Sequence, residues 1–190
     1  SFFDKERYDV YIVDVKDTDW HVNFDNGDIA KIDRNDFSFM KDGKAVMFDY
    51  AYITIHGTPG ENGLMQGYFD LIKLPYSTSN VLVEALTFDK FVLNNYLRGF
   101  GVNVAPSMLV RRGEEDQIDE EKLMKEIGMP CFVKPAADGS SFGVSKVKNL
   151  DQLAPALRMA FMESDEVMIE RYMDGTETSI GVHNTREKSL

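Results

Sequence analysis

Apolar and polar residues alternate along residues 8–15 (YDVYIVDV), a run rich in β-branched and aromatic side chains. That is the period of a strand with one buried face. Residues 1–8 read as the tail of a helix entering it. Residues 20–24 and 45–48 predict short hairpin strands, with Asn26-Gly27 and Asp42-Gly43 as turn dipeptides. Residues 50–55 (YAYITI) are almost continuously apolar. Such a run suits a strand buried on both faces of a parallel sheet. The glycine-rich stretch HGTPGENG follows at 56–63, then a helix over 66–72, and Leu74-Pro75-Tyr76 closes the unit.

The second half has a different rhythm. Apolar residues predict a long helical stretch over 81–100 with a break near 88–90, and Gly99 and Gly101 stand where a C-cap is expected. Residues 108–110 predict a short strand, 111–121 a solvated charged loop, and 120–127 a helix. The strand 131–134 (CFVK) stops at Pro135, and a loop of small residues runs over 136–143. Further strands are expected at 144–147, 167–170 and 177–182, and a helix at 151–162 with Asp151 near its N-cap. The first half is therefore α/β with a parallel sheet, and the second is α+β. Ser77-Thr78-Ser79-Asn80 interrupts the pattern, so a domain boundary is placed near 77–84. No repeat or low-complexity tract is present.

Composition narrows the function classes. The chain has 190 residues, enough for one or two domains, and its 43% apolar and 28% charged fractions are those of a soluble globular protein. No apolar run approaches the roughly 20 residues that span a bilayer, and no signal peptide is expected. The lone Cys131 excludes an intramolecular disulfide and fits a reducing compartment. With 21 basic against 32 acidic residues the net charge is −11, which argues against nucleic acid and anionic membranes as partners. A small anionic ligand remains compatible, because a few local lysines and backbone amides can hold it.

Four segments carry candidate chemistry. In KPAADGSSFG at 134–143, Lys134 ends a strand and small residues follow. Their backbone amides and serine hydroxyls suit a phosphate cradle with a lysine at its root. It is not a Walker A loop, since no Gly-Lys-Ser/Thr follows the glycines. Alone, such a loop is more often a plain turn. In the loop at 56–63, His56 offers a polar anchor for a substrate group, and Glu61 can orient a neighbouring group or a ligand amine. Alone, a histidine there more often caps backbone. In ERYMDGTE at 170–177, a purine can stack on apolar side chains while a carboxylate meets its edge, and a second glutamate can accept two ribose hydroxyls. Alone, the segment reads better as an exposed hinge. Asp89-Lys90 alone is an ordinary surface pair.

Together these segments resemble one family, the D-alanine–D-alanine ligases of the ATP-grasp superfamily. HGTPGENGLMQG at 56–67 resembles the family's His-Gly-x-x-Gly-Glu-Asp-Gly signature, with Asn62 in place of its aspartate. Leu74-Pro75-Tyr76, Asp89-Lys90, KPAADGSSFGVSKV at 134–147 and VMIERYMDGTETSIGV at 167–182 follow in the family's order. The likeness covers nearly the whole chain. It implies an N-terminal parallel-sheet domain over 1–80, incomplete at its start, an ATP-grasp central domain over 81–173, and the start of a truncated third domain over 174–190.

The resemblance implies that Lys90 and Lys134 hold ATP phosphates. Ser140, Ser141, Phe142 and Gly143 would form a lid over them. Glu170 would accept the adenine amino group, Arg171, Tyr172 and Met173 would line the hinge, and Glu177 would bind ribose. His56 and Glu61 would lie on the side of the first D-alanine. Glu61 and Ser140 carry the catalytic assignments, with Ser140 or Ser141 reaching the substrate. The implied reaction forms D-alanyl-D-alanine through an acyl phosphate, for peptidoglycan synthesis, with ATP and Mg2+. The magnesium ligands and the second D-alanine pocket would lie beyond Leu190, so no metal ligand is assigned in this chain. A cytoplasmic homodimer is also implied. The alternatives are a D-alanine–D-lactate or D-alanine–D-serine ligase, another ATP-grasp carboxylate–amine ligase, or a non-catalytic nucleotide-binding module. The 190-residue piece alone is expected to lack ligase activity, and ATP- and D-alanine-dependent phosphate release by it would overturn that expectation.

Overall fold

The structure, a computed structural model, describes residues 3–137 and 142–181. The chain forms two compact units, Ser1–Phe88 and Asp89–Leu190. The sequence-based boundary lay at 80/81.

The first unit is built on an antiparallel meander, β1 (Ile12–Lys16), β2 (Asp19–Asn23), β3 (Ile29–Asp33), β4 (Ser38–Lys41) and β5 (Lys44–Val46), paired in that order. Asp42-Gly43 joins β4 to β5, with Lys41 opposite Lys44. Helices α1 (Leu64–Ile72) and α2 (Val81–Phe88) follow. Met65 and Phe69 of α1 pack with Val22, Ile32, Phe37 and Phe39 in the core. The rings meet edge-on or tilted, Phe37 standing 5.0 Å from Phe69 and 5.3 Å from Phe48. Each such pair adds about 0.5–1.5 kcal/mol beyond the area it buries.

The expected parallel strand at 50–55 is corrected. Its pairing among the described residues is a single parallel bridge, Ala51 to Tyr76. Ala51 and Ile53 pack on the aromatic core, while Tyr50 and Tyr52 are half exposed. An apolar run signals burial, but tyrosine rings can leave one face to solvent. The α/β class stands, and the named strands of this unit are all antiparallel.

The second unit contains α3 (Lys90–Gly99), β6 (Ser107–Arg111), α4 (Glu120–Glu126), β7 (Cys131–Pro135), β8 (Ser145–Val147), α5 (Leu153–Ala160) and β9 (Glu166–Arg171). Its sheet runs β6-β9-β7-β8, antiparallel throughout. The predicted helix break falls at Asp89, whose carboxylate caps α3 by accepting the Val92 N–H at 2.9 Å. Such a cap stabilises by about 1 kcal/mol. The expected cap at Asp151 is corrected. A 3-10 turn, Leu150–Gln152, precedes α5, and Asn149 caps it by accepting the Gln152 N–H. Residues 177–181 form no strand, contrary to expectation, and residues 182–190 of the expected third domain lie outside the described residues.

One sheet face makes the core. Val110, Cys131, Val133, Val147, Val167 and Ile169 meet Leu123 and Ile127 beside α4 and Leu153, Ala156, Leu157 and Ala160 on α5. Burial pushes the Cys131 thiol from an ordinary 9.0 up to about 11. The folded state therefore keeps its proton through a pH range where the unfolded chain ionises. Stability contributed by this group is lost as pH rises above 9 toward 11. An aromatic disulfide reagent should react with Cys131 at least about 100-fold more slowly in native buffer than in denaturant. Equal rates would contradict its burial.

Candidate functional site

The face of the second sheet opposite its core carries Lys134, Lys146 and Glu170 beside the apolar Phe132 and Met168, because side chains alternate along each strand. Phe132 stands opposite Lys146 on β8 and Glu170 on β9, and Glu170 stands opposite Ser107 on β6. Lys134, two residues beyond Phe132, shares that face and pairs with Met168. It therefore reaches Glu170 along the diagonal. Lys134 Nζ and Glu170 Oε2 are 2.7 Å apart, with the two side chains 20% and 16% exposed. Asn94 Nδ2 donates to the other oxygen, Oε1, at 3.1 Å.

Lys90, in the first turn of α3, donates its N–H to the Ala136 carbonyl at 2.9 Å and its Nζ to the Pro135 carbonyl at 3.4 Å. Two ammonium groups and one carboxylate thus gather where the 136–143 loop leaves β7. Ammonium groups at the root of such a loop suit a polyphosphate, and the carboxylate beside them suits an amino group. Asn94 was not singled out in the sequence. It lies four residues after Lys90, so the two share a helix face, and that spacing is the signal that could have found it.

Ser140 and Ser141 lie outside the described residues. Phe142 is largely exposed. Gly143 has φ +68°, and a Cβ there would stand 3.1 Å from Ala160 Cα and 3.3 Å from the Met159 carbonyl oxygen. Only glycine lets the loop's far end rest on α5 so closely.

At the end of β9, the Arg171 side chain turns to α4. Its guanidinium donates to the Ile127 carbonyl at 3.0 Å and to the Glu126 carbonyl, both at the C-terminal end of α4. A cation is stabilising there. Tyr172 donates its N–H to Pro130, and its ring lies under Lys146, Nζ standing 3.5 Å from the centroid. Met173 and Glu177 are exposed beyond the strand.

In the first unit, Glu61 closes the 56–63 loop on itself. Its Oε2 accepts the Gly57 N–H at 2.6 Å, and its Oε1 lies 3.4 Å from His56 Nδ1. The His56 side chain is 93% exposed. Asn62 Nδ2 donates to Thr58 Oγ1 at 3.0 Å, so the residue that departs from the signature braces the loop internally. Among the described residues no His, Cys, Asp or Glu side chains gather in a group that would hold a metal ion. Nor is any described helix long and apolar enough to cross a membrane.

This fold is shared with solved ligase structures. D-alanyl-alanine synthetase A of Vibrio cholerae matches 98% of the chain with a TM-score of 0.83 at 25% identity, over 55% of its own length. The VanG D-Ala:D-Ser ligase of Enterococcus faecalis, at 24% identity and TM-score 0.78, covers 90% of the chain and 55% of its own and speaks to the fold alone. The model of the D-ala D-ala ligase C-terminus matches residues 96–189. The D-alanine–D-alanine ligase of Phocaeicola vulgatus is 56% identical over all 190 residues, and that of Bacteroides fragilis 52%. The chain belongs to the D-alanine–D-alanine ligase family. It spans 58% of the length of those two relatives.

The Lys134–Glu170 pair gives a stability prediction. Glu170→Ala leaves a mostly buried ammonium unpaired and should destabilise the second unit by about 2 kcal/mol. A double-mutant cycle with Lys134→Met, followed by urea unfolding, should show a coupling of about 1 kcal/mol or more. A coupling near zero would mean the two groups do not pair in solution.

Proposed function

We propose that the whole protein carrying this chain joins two D-alanines with ATP through an acyl phosphate, supplying peptidoglycan precursors. One observation carries this reading: Lys134 is held against Glu170 at 2.7 Å, at the root of the small-residue loop, in a chain 56% identical to a D-alanine–D-alanine ligase.

The residue roles follow from chemistry. Lys90 and Lys134 take the phosphates, neutralising charge that grows as the γ-phosphoryl leaves. Glu170, fixed by Asn94, accepts the adenine amino group. Since Arg171 holds α4 with its side chain, the hinge offers adenine Tyr172 and Met173 instead. Glu177 binds ribose. Ser140, Ser141, Phe142 and Gly143 cover the phosphates and keep water from the acyl phosphate. His56 and Glu61 orient the first D-alanine, and Ser140 approaches the reacting groups. The same reading carries Mg2+, a homodimer and a cytoplasmic location. Among the described residues no group of His, Cys, Asp or Glu side chains would hold that ion.

The test is phosphate release and dipeptide formation by a protein of the relatives' full length, with D-alanine, D-lactate and D-serine as acceptors. D-alanyl-D-alanine should dominate, and Lys134→Met should lower kcat/KM for ATP by about 100-fold. ATP turnover that ignores D-alanine would sink the proposal.

A further inference from the structure

We infer that Gln66 is a positioning residue for the first-substrate loop, an assignment that rests on the ligase reading. Gln66 sits in the first turn of α1 between Met65 and the core residue Phe69, and it is fully buried. A buried amide is costly unless its donors are matched. Its Nε2 donates to the Gly60 carbonyl at 2.7 Å and to Thr78 Oγ1 at 2.8 Å. Its Oε1 accepts no hydrogen bond among the described residues. An apolar side chain of similar shape would fill the same space without an orphaned oxygen. Filling the core therefore does not account for the amide, whereas joining the Gly60 carbonyl to the Thr78 hydroxyl does.

Gly60 is the segment it holds on one side. A Cβ at Gly60 would stand 2.2 Å from the Ile55 carbonyl oxygen, so the loop presses its backbone onto the end of the 50–55 run. Gln66 grips the Gly60 carbonyl, and the next residue is Glu61, which braces Gly57 and faces His56. On its other side Gln66 holds Thr78. That segment is itself tied down: Ser77 Oγ accepts the Ile53 N–H at 2.9 Å, and the Ser79 N–H donates to Glu84 Oε1 at 2.8 Å. Gln66 thus joins a fixed segment to the loop carrying both proposed first-substrate residues. Misplacement of a binding group by about an ångström is enough to weaken a reaction by orders of magnitude.

The experiment uses a protein of the relatives' full length. KM for each D-alanine site, KM for ATP, kcat and Tm are measured for Gln66→Met, Thr78→Val and Thr78→Ser. Gln66→Met should raise the first-site D-alanine KM about tenfold or more while KM for ATP shifts less than about twofold. Thr78→Val should move the D-alanine KM the same way, and Thr78→Ser, which keeps the hydroxyl, should restore it. Should Gln66→Met fail to fold, the two Thr78 variants decide alone. A lowered Tm with an unmoved D-alanine KM would leave Gln66 a core residue and overturn the assignment. A wild-type protein without D-alanine-dependent phosphate release would overturn the ligase reading and this assignment with it.

Discussion

The two-residue period of β7 and β9 governs the second unit. It sends Cys131, Val133 and Pro135 into the dry core and leaves Phe132 and Lys134 on the opposite face. A slip of one residue would drive the lysine into apolar surroundings and expose the valines. Packing at Val133, Val167 and Ile169 therefore fixes where the Lys134 ammonium sits. The core and the candidate nucleotide site are two readings of one strand register. Stability and site geometry cannot be altered independently along these strands.

The Glu170 carboxylate shows how that register is completed by a helix. One oxygen meets Lys134 from the neighbouring strand, and the other meets Asn94 from α3. With both oxygens engaged, its plane is set before any ligand arrives. Pre-set groups spare a ligand the entropy of ordering them. The helix supplies Asn94 in the right place because it restarts at Asp89, with its own cap and with Lys90 bonded to Ala136. The break in the helical pattern is thus part of the candidate site.

Local features were legible in the sequence, and long-range ones were not. The break near 88–90 and the strand begun at Cys131, which runs one residue further than expected to Pro135, each depend on neighbours within a few residues. So does the glycine-rich loop at 56–63, though its closure by Glu61 on the Gly57 N–H emerges only in the structure. Strands β3 and β4 escaped notice because they are short and half polar, and only the meander that contains them makes them strands. The run at 50–55 misled because its tyrosines are apolar by count but half exposed in place. The course of the Arg171 side chain was hidden for another reason. Its partners are the Glu126 and Ile127 carbonyls, 45 and 44 residues away, and nothing in the local string separates a ligand-binding arginine from one that ends a helix. Asn94 and Glu170 lie 76 residues apart and meet only through the fold.

The two candidate loops share a principle of construction. Each is pinned where a side chain would not fit, at Gly60 against Ile55 and at Gly143 against Ala160. Backbone packed on backbone leaves no rotamer to adjust, so these anchors are stiffer than side-chain contacts would be. In the first loop the stiffness passes outward by hydrogen bonds, from Gln66 to Gly60 and from Glu61 to Gly57. His56 comes last in that series and is the most exposed of the group. A polar group presented to solvent from a braced loop keeps its direction without being buried. A small zwitterion needs that from its site, because it offers too little apolar surface to be held by burial and must be placed by directed polar contacts.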